Sequence, residues 1–397
     1  MKPIYLDYNS TTPISPTVAQ RMAQCYEKGY LNPASQHRLG QEARLVLEKL
    51  RSEIIDMLGG VSTGMRTDRL VLTSGGTESN NLAISGLARA ARDATGARRI
   101  IISAVEHPSV IGVAHYLATQ GFEIDTIAVD ANGVCDLDEL AAKLDPGADP
   151  PTEANQNSVA AVSIMAANNE TGVIQPIQSA AQLCREKGIY FHTDAVQMVG
   201  KIDVNFSTLG VDALTFTAHK FHGPRGVGGL LVRNGIELTP LIYGGFQQMG
   251  TRPGTEDVAL TTGLHQALLE FQQSPERDAK IKRLRDQLQT SLLSMVPGAV
   301  INGVGASRMS HTINISFPGI NRQALLMAAD FAGLAISTGS ACASGSSDPS
   351  HVIIAMGASE EVVEGSIRIS LGATTSQQEI DDSLTRFQQV FNRLSTS

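Results

Sequence analysis

The sequence predicts an α/β protein, with a mostly parallel sheet flanked by helices and then a smaller α+β unit. Three observations carry this prediction. From Arg69 onward, short apolar runs alternate with helical stretches, the pattern of a sheet covered on both faces. After about residue 260 the rhythm changes to a long helical stretch and then short alternating strands. The 397 residues also exceed what a single hydrophobic core usually serves.

Each element follows from its own spacing. Residues 36–58 carry Leu39, Ala43, Leu47, Leu50, Ile54 and Leu58 at steps of three and four, which predicts a long amphipathic helix. Residues 70–73 read as a strand that enters a glycine turn and a helix over 78–91. Strands follow at 99–103, 122–129 and 159–164, a helix at 177–187, and further strands at 190–192 and 213–216. The later part reads as one helical stretch over 259–295 and strands at 312–317, 334–337 and 366–371. The expected division is a large unit over 15–260 and a smaller one joining 1–14 to 261–397, with the junction near 257–264. Residues 145–157 read as a polar surface insertion without chemistry.

Composition narrows the function. The net charge of -8 offers no basic stripe for nucleic acid. No apolar run approaches the ~18 residues of a membrane span, and the first residues lack the apolar core of a signal peptide. Cys25, Cys135, Cys184 and Cys342 are scattered, which argues against both a disulfide framework and a zinc site. The expectation is a cytoplasmic enzyme without a metal.

Cys342 sits in a run of small residues over 337–347 with no apolar wall, unlike a packed structural cysteine. It reads as an accessible, reactive thiol. Lys220 follows a strand and precedes Gly223-Pro224, where a Schiff-base lysine would be held. Gly76 and Thr77 lie between a strand and a helix, which suits either an ordinary helix start or a phosphate site. This segment lacks the lysine of a nucleotide loop and the dinucleotide spacing, which disfavours ATP and NAD. Asp194 ends a strand that should be buried, so it either caps a helix or pairs with a protonated ring nitrogen. His107 also follows a strand and is either structural or stacked on a flat ligand. His219 and His222 have a metal-like spacing but no third ligand type beside them. Arg368, with Ser366 and Ser370 on the polar face of an alternating strand, is either a surface cation or a fork for a carboxylate.

Taken together, the motifs resemble the pyridoxal-phosphate cysteine desulfurases of the NifS/IscS type, within the class V aminotransferases. The resemblance runs nearly end to end. It includes Tyr5-Leu-Asp-Tyr-Asn-Ser-Thr-Thr-Pro13, Asn32-Pro-Ala-Ser35, Thr73-Ser-Gly-Gly-Thr-Glu-Ser-Asn-Asn81 and Glu106-His107. It continues through Asn168-Asn-Glu-Thr-Gly172, His192-Thr-Asp-Ala-Val-Gln197, His219-Lys220, Arg252-Pro-Gly-Thr255, Gly339-Ser-Ala-Cys342 and Ser366-Ile-Arg-Ile-Ser370. Departures are small: Ala218 stands where relatives often have Ser or Gly, and Arg225 where Lys is common.

This likeness implies a fold-type I pyridoxal-phosphate transferase with pyridoxal 5'-phosphate held by Lys220. It makes Asp194 the partner of the pyridine nitrogen and His107 the residue stacked on the ring. Gln197 and Asn169 become partners of the phenolic oxygen and nearby substrate, and Gly76, Thr77, Thr217 and His219 phosphate contacts. Thr255 matches a phosphate ligand that relatives contribute from a second subunit, so a homodimer is implied. Arg368 matches the anchor of the substrate α-carboxylate, with Asn32 as a helper. The implied reaction converts L-cysteine to L-alanine and leaves a persulfide on Cys342. An acceptor protein for iron–sulfur cluster or thio-cofactor synthesis would then take the sulfur. The rival readings are a selenocysteine lyase or an aminotransferase on the same scaffold, and a non-catalytic scaffold.

Overall fold

The computed structural model describes residues 2–145, 158–339 and 348–394. The inserted loop expected at 145–157 therefore lies almost wholly outside the described residues, and so does Cys342.

Among the described residues, twelve strands are arranged in three sheets. In chain order they are β1 (Ile4–Tyr5), β2 (Arg69–Thr73), β3 (Arg99–Ser103), β4 (Glu123–Ile127), β5 (Val159–Ser163), β6 (Tyr190–Asp194), β7 (Ala213–Thr217), β8 (Gly228–Val232), β9 (Val300–Ile301), β10 (Thr312–Ser316), β11 (Leu334–Ala335) and β12 (Ser366–Ser370). The central sheet has seven strands in the order β2-β8-β7-β6-β5-β3-β4. The pairs from β7 through β6, β5 and β3 to β4 are parallel. β8 alone runs antiparallel, between β2 and β7. The sheet is thus α/β and mostly parallel, as the alternation predicts.

β8 was not foreseen, because Gly228 and Gly229 give it little strand character. The structure requires glycine there. A Cβ on Gly228 would meet the Gly75 backbone at 2.8 Å, and one on Gly229 the Phe216 ring at 2.4 Å. The helix expected over 78–91 is longer, Gly76–Thr95, because it starts directly from the glycine turn. The single helical stretch expected over 259–295 is two helices, Val258–Gln272 and Arg277–Met295, with Pro275 in the break.

The main core packs Leu72, Ile101, Val162, Phe191, Leu214 and Phe216 of the central sheet against flanking helices. The helix Val258–Gln272 gives this same core Leu264, Ala267 and Leu268 and packs against the helices Pro16–Glu27 and Arg38–Met57. A second core joins Ile4 and Leu6 to Ile313, Ile315, Ile367, Ile369 and Phe387. It is tied by the parallel pair β1-β11 and the antiparallel order β12-β10-β9. Among the described residues no helix is long and apolar enough to cross a membrane.

Candidate active site

A cavity of about 240 Å³ opens where β2, β3, β6 and β7 end. Ligands of open α/β sheets bind outside the carboxyl ends of the strands in this way. Every site residue expected from the sequence lines the cavity except Thr255, Asn32 and Cys342. Thr255 and Asn32 are exposed and share a surface hollow with Tyr26 and Asp257. Cys342 is outside the described residues; Gly339, which leads toward it, accepts from the Arg368 guanidinium at 3.4 Å.

The polar floor is built from strand ends. Asp194, the last residue of β6, is 4% exposed. Its Oδ2 accepts from the Asn80 amide at 2.7 Å and its Oδ1 from the Val196 backbone N–H at 2.9 Å. β7 runs into a short turn over Ala218–Lys220, and the lysine at its end lines the cavity. The Lys220 ammonium donates to the carbonyls of Asn9 and Ser10 at 2.6 and 2.7 Å. The Gln197 amide nitrogen donates to the same Asn9 carbonyl at 3.1 Å, and Lys201 donates to Gln197 Oε1 at 2.5 Å. Thr217 Oγ1 donates to the Val227 carbonyl at 3.1 Å. His219 Nδ1 pairs with Thr11 at 3.1 Å, whereas His222 Nδ1 pairs with the Pro13 carbonyl, so the two histidines serve separate contacts.

The helix Gly76–Thr95 starts without a side-chain cap, which leaves backbone N–H groups of its first turn for an anion. A Cβ on Gly76 would meet the Val196 side chain at 3.0 Å, so glycine keeps this approach open. His107 caps the next helix, Pro108–Thr119, with Nδ1 accepting from the Ser109 backbone N–H at 3.1 Å. His107 thus has a structural role as a helix cap and also lines the cavity.

Arg368 sits in β12, 3% exposed, opposite Asn314. It donates to Asp7 at 2.7 Å and to the Asn169 carbonyl at 3.1 Å, which fixes one edge of the guanidinium. Its Nε has no hydrogen-bond partner among the described residues. Burial decides against the plain surface-cation alternative.

Burial also sets the charge of neighbouring groups. Burial pushes the Glu106 carboxyl up to about 8, helped by the Asp194 charge and opposed by donors from Ser103 and Met165. Glu170, beside Gly339, is raised by burial too, against a hydrogen bond from Ser350. Burial lowers His107 from its ordinary range; Asp194 opposes that shift, and Lys220 adds to it. His219 falls to about 4, first by burial and then by the Lys220 charge. Near neutral pH the site therefore holds neutral imidazoles.

Asn80, Ser109 and Asp7 belong to the site and were quoted in sequence motifs or beside them without a role. Their contacts lie 29, 114 and 361 positions away, a distance that no local pattern reports.

Comparison with known proteins follows this geometry. The sequence matches the family described as class-V aminotransferases over residues 4–382. It is 39% identical to a protein named cysteine desulfurase IscS from Dictyoglomus turgidum, over 99% of this chain and 95% of that protein. It is 38% identical to a cysteine desulfurase of Nostoc sp., over 99% of this chain and 94% of the other. Among solved structures, a NifS-like protein superposes with a TM-score of 0.87 at 33% identity, covering 99% of this chain and all (100%) of that one. One described as SspA in complex with cysteine gives 0.77 at 29% identity, covering 94% and 99%.

Proposed function

The chain belongs to the class-V aminotransferase family, and we propose that it is a pyridoxal-phosphate-dependent cysteine desulfurase that converts L-cysteine to L-alanine. The observation that carries this reading is the meeting of Lys220, Asp194 and Arg368 at one cavity beside an uncapped helix start.

The residues fit the cofactor. The first turn of Gly76–Thr95 suits a phosphate, with Thr77, Thr217 and His219 beside it. Asp194 is a buried carboxylate whose two known donors leave acceptor capacity for a ring N–H. Lys220 would supply the amine that holds the carbonyl carbon, and His107, which lines the same cavity, would face the ring. When bound, pyridoxal phosphate supplies an electron sink for the electrons released at the substrate Cα.

The protein's own groups do the rest. Arg368 receives the α-carboxylate of cysteine, held in place by Asp7 and the Asn169 carbonyl. Lys220, freed as an amine, carries the proton from Cα. Positioned transfer of this kind is typically worth ~10² to 10⁴ in rate. Gln197, its amide oriented by Lys201 and by the Asn9 carbonyl, would donate its remaining N–H to the phenolic oxygen. The Cys342 thiol attacks the substrate sulfur as the Cβ–S bond breaks. Atoms balance without an added oxidant: cysteine plus the thiol gives alanine plus the Cys342 persulfide, and the thiol proton is returned to the substrate carbon. A sulfur-acceptor protein in the cytoplasm, serving iron–sulfur cluster or thio-cofactor synthesis, then removes the sulfur. A homodimer completes the site, with Thr255 of one copy serving the phosphate of the other.

The test is release of alanine and sulfide from L-cysteine with a reductant, comparing wild type with Cys342→Ala, each checked for the visible cofactor band. Wild type should yield both products, and the variant should keep the band and yield neither. Equal turnover by the two proteins would remove Cys342 from the reaction and return the aminotransferase alternative.

A further inference from the structure

Asn80 lies in the second turn of the helix Gly76–Thr95 and is 1% exposed. Its amide nitrogen donates to Asp194 Oδ2 at 2.7 Å and to Ser109 Oγ at 2.8 Å, which uses both of its hydrogens. A carboxylate only accepts, so the nitrogen must face Asp194 and the amide has one orientation. Its Oδ1 is buried with no hydrogen-bond partner among the described residues. An arrangement that leaves a buried carbonyl unpaired costs free energy, so packing convenience does not explain it.

The second arm continues to His107. Ser109 Oγ accepts from Asn80, so its own proton is available to His107 Nδ1, 2.8 Å away. The Ser109 backbone N–H donates to the same Nδ1 at 3.1 Å. Nδ1 therefore presents a lone pair and the ring proton sits on Nε2. A charged imidazolium would bring a third hydrogen against these two donors. The charged or titratable groups facing His107 are Asp194, Lys220, His351 and Arg368.

We propose that Asn80 is a positioning residue with two arms. One arm orients the Asp194 carboxylate for the cofactor ring nitrogen, and the other, through Ser109, fixes His107 as the neutral Nε2–H tautomer. The proposal rests on the reading of Asp194 and His107 given above and assigns their alignment to a residue of another element.

The experiment uses the holoenzyme and the variants Asn80→Ala, Asn80→Asp and Ser109→Ala. Two quantities are read: retention of pyridoxal phosphate on dilution, and the tautomer of His107 by nitrogen-15 NMR of labelled histidine. Loss of one hydrogen bond to a charged group predicts roughly 10- to 100-fold weaker retention in Asn80→Ala. Asn80→Asp, which sets a second carboxylate against Asp194, should be weaker still. Ser109→Ala removes the hydroxyl donor and keeps the backbone N–H on His107 Nδ1, so the Nδ1 resonance should shift away from its wild-type position as that nitrogen loses one of its two donors. Should Asn80→Ala fail to fold, Asn80→Asp and Ser109→Ala still report the two arms separately. Wild-type retention in both Asn80 variants overturns the first arm, and an unmoved His107 Nδ1 resonance in Ser109→Ala overturns the second. A wild-type protein that binds no pyridoxal phosphate would instead sink the functional reading itself.

Discussion

Glu106 offers a direct measure of how burial sets charge beside the site. Its side chain is 0% exposed. Oε1 accepts from Ser103 Oγ at 2.5 Å and from the Met165 N–H at 2.7 Å, while Oε2 has no partner among the described residues. Burial is the largest cause of its rise from 4.5 to about 8. Between those two pH values the folded protein keeps a proton that the unfolded chain has released, so stability falls as pH rises through the window. The fall is about 1.4 kcal/mol per pH unit, about 5 kcal/mol in all as an upper bound. Glu106→Gln removes this titration while Oε1 keeps both donors. Its amide adds one buried, unpaired N–H, which costs about 1–2 kcal/mol. The variant should therefore be the weaker protein at pH 5, cross the wild type near pH 6, and be the more stable at pH 8. Chemical denaturation of both holoenzymes at pH 5, 6, 7 and 8 reads the difference, and other titrating groups cancel between them. Parallel stability profiles would refute the argument, because Glu106 would then be ionised in the folded protein as it is in the unfolded one.

Other substitutions report on other parts of the molecule. Gly200 has φ +73°, and a Cβ there would lie 2.3 Å from the Phe221 ring, next to Lys220. Gly200→Ala should therefore cost roughly 2–4 kcal/mol in a urea titration. Cys25, Cys135 and Cys184 are buried, and burial raises all three thiols, the last two to about 12. Iodoacetamide at neutral pH should then label one thiol quickly and none in Cys342→Ala; fast labelling of that variant would move the reactive thiol elsewhere. Arg368→Lys replaces a buried fork with a point charge, so KM for L-cysteine should rise roughly 10- to 100-fold while the cofactor stays bound. An unchanged KM would take the carboxylate away from this residue.

The fold was legible wherever a residue's environment is set by its neighbours in sequence. The helix expected over 36–58 is Arg38–Met57, and Leu47, Leu50 and Ile54 are buried as their spacing requires. Strands such as Arg99–Ser103 have the expected bounds, because a run of isoleucines between two turns leaves few alternatives. β8 was hidden because its glycines are set by the Gly75 backbone and the Phe216 ring, partners far off in sequence. The split between Val258–Gln272 and Arg277–Met295 did have a local signal in Pro275, which was read as part of a continuous helix.

The site divides along the same line, and the division has a physical cause. Lys220, Asp194, His107 and Arg368 stand out because their ionisable groups occur where a strand should end or alternate, and a charge in such a place requires a partner. Asn80, Ser109 and Asp7 do not stand out, since a polar residue on a helix or turn is ordinary until its neighbours are known. Yet each of these quiet residues decides what a conspicuous one can do. Asp7 fixes one edge of Arg368, Asn80 fixes Asp194, and Ser109 fixes the proton of His107. A sequence therefore announces the groups that need compensation before it announces the groups that supply it. Transplanting only the conspicuous four into a related scaffold should recover cofactor binding poorly until residues equivalent to these three accompany them.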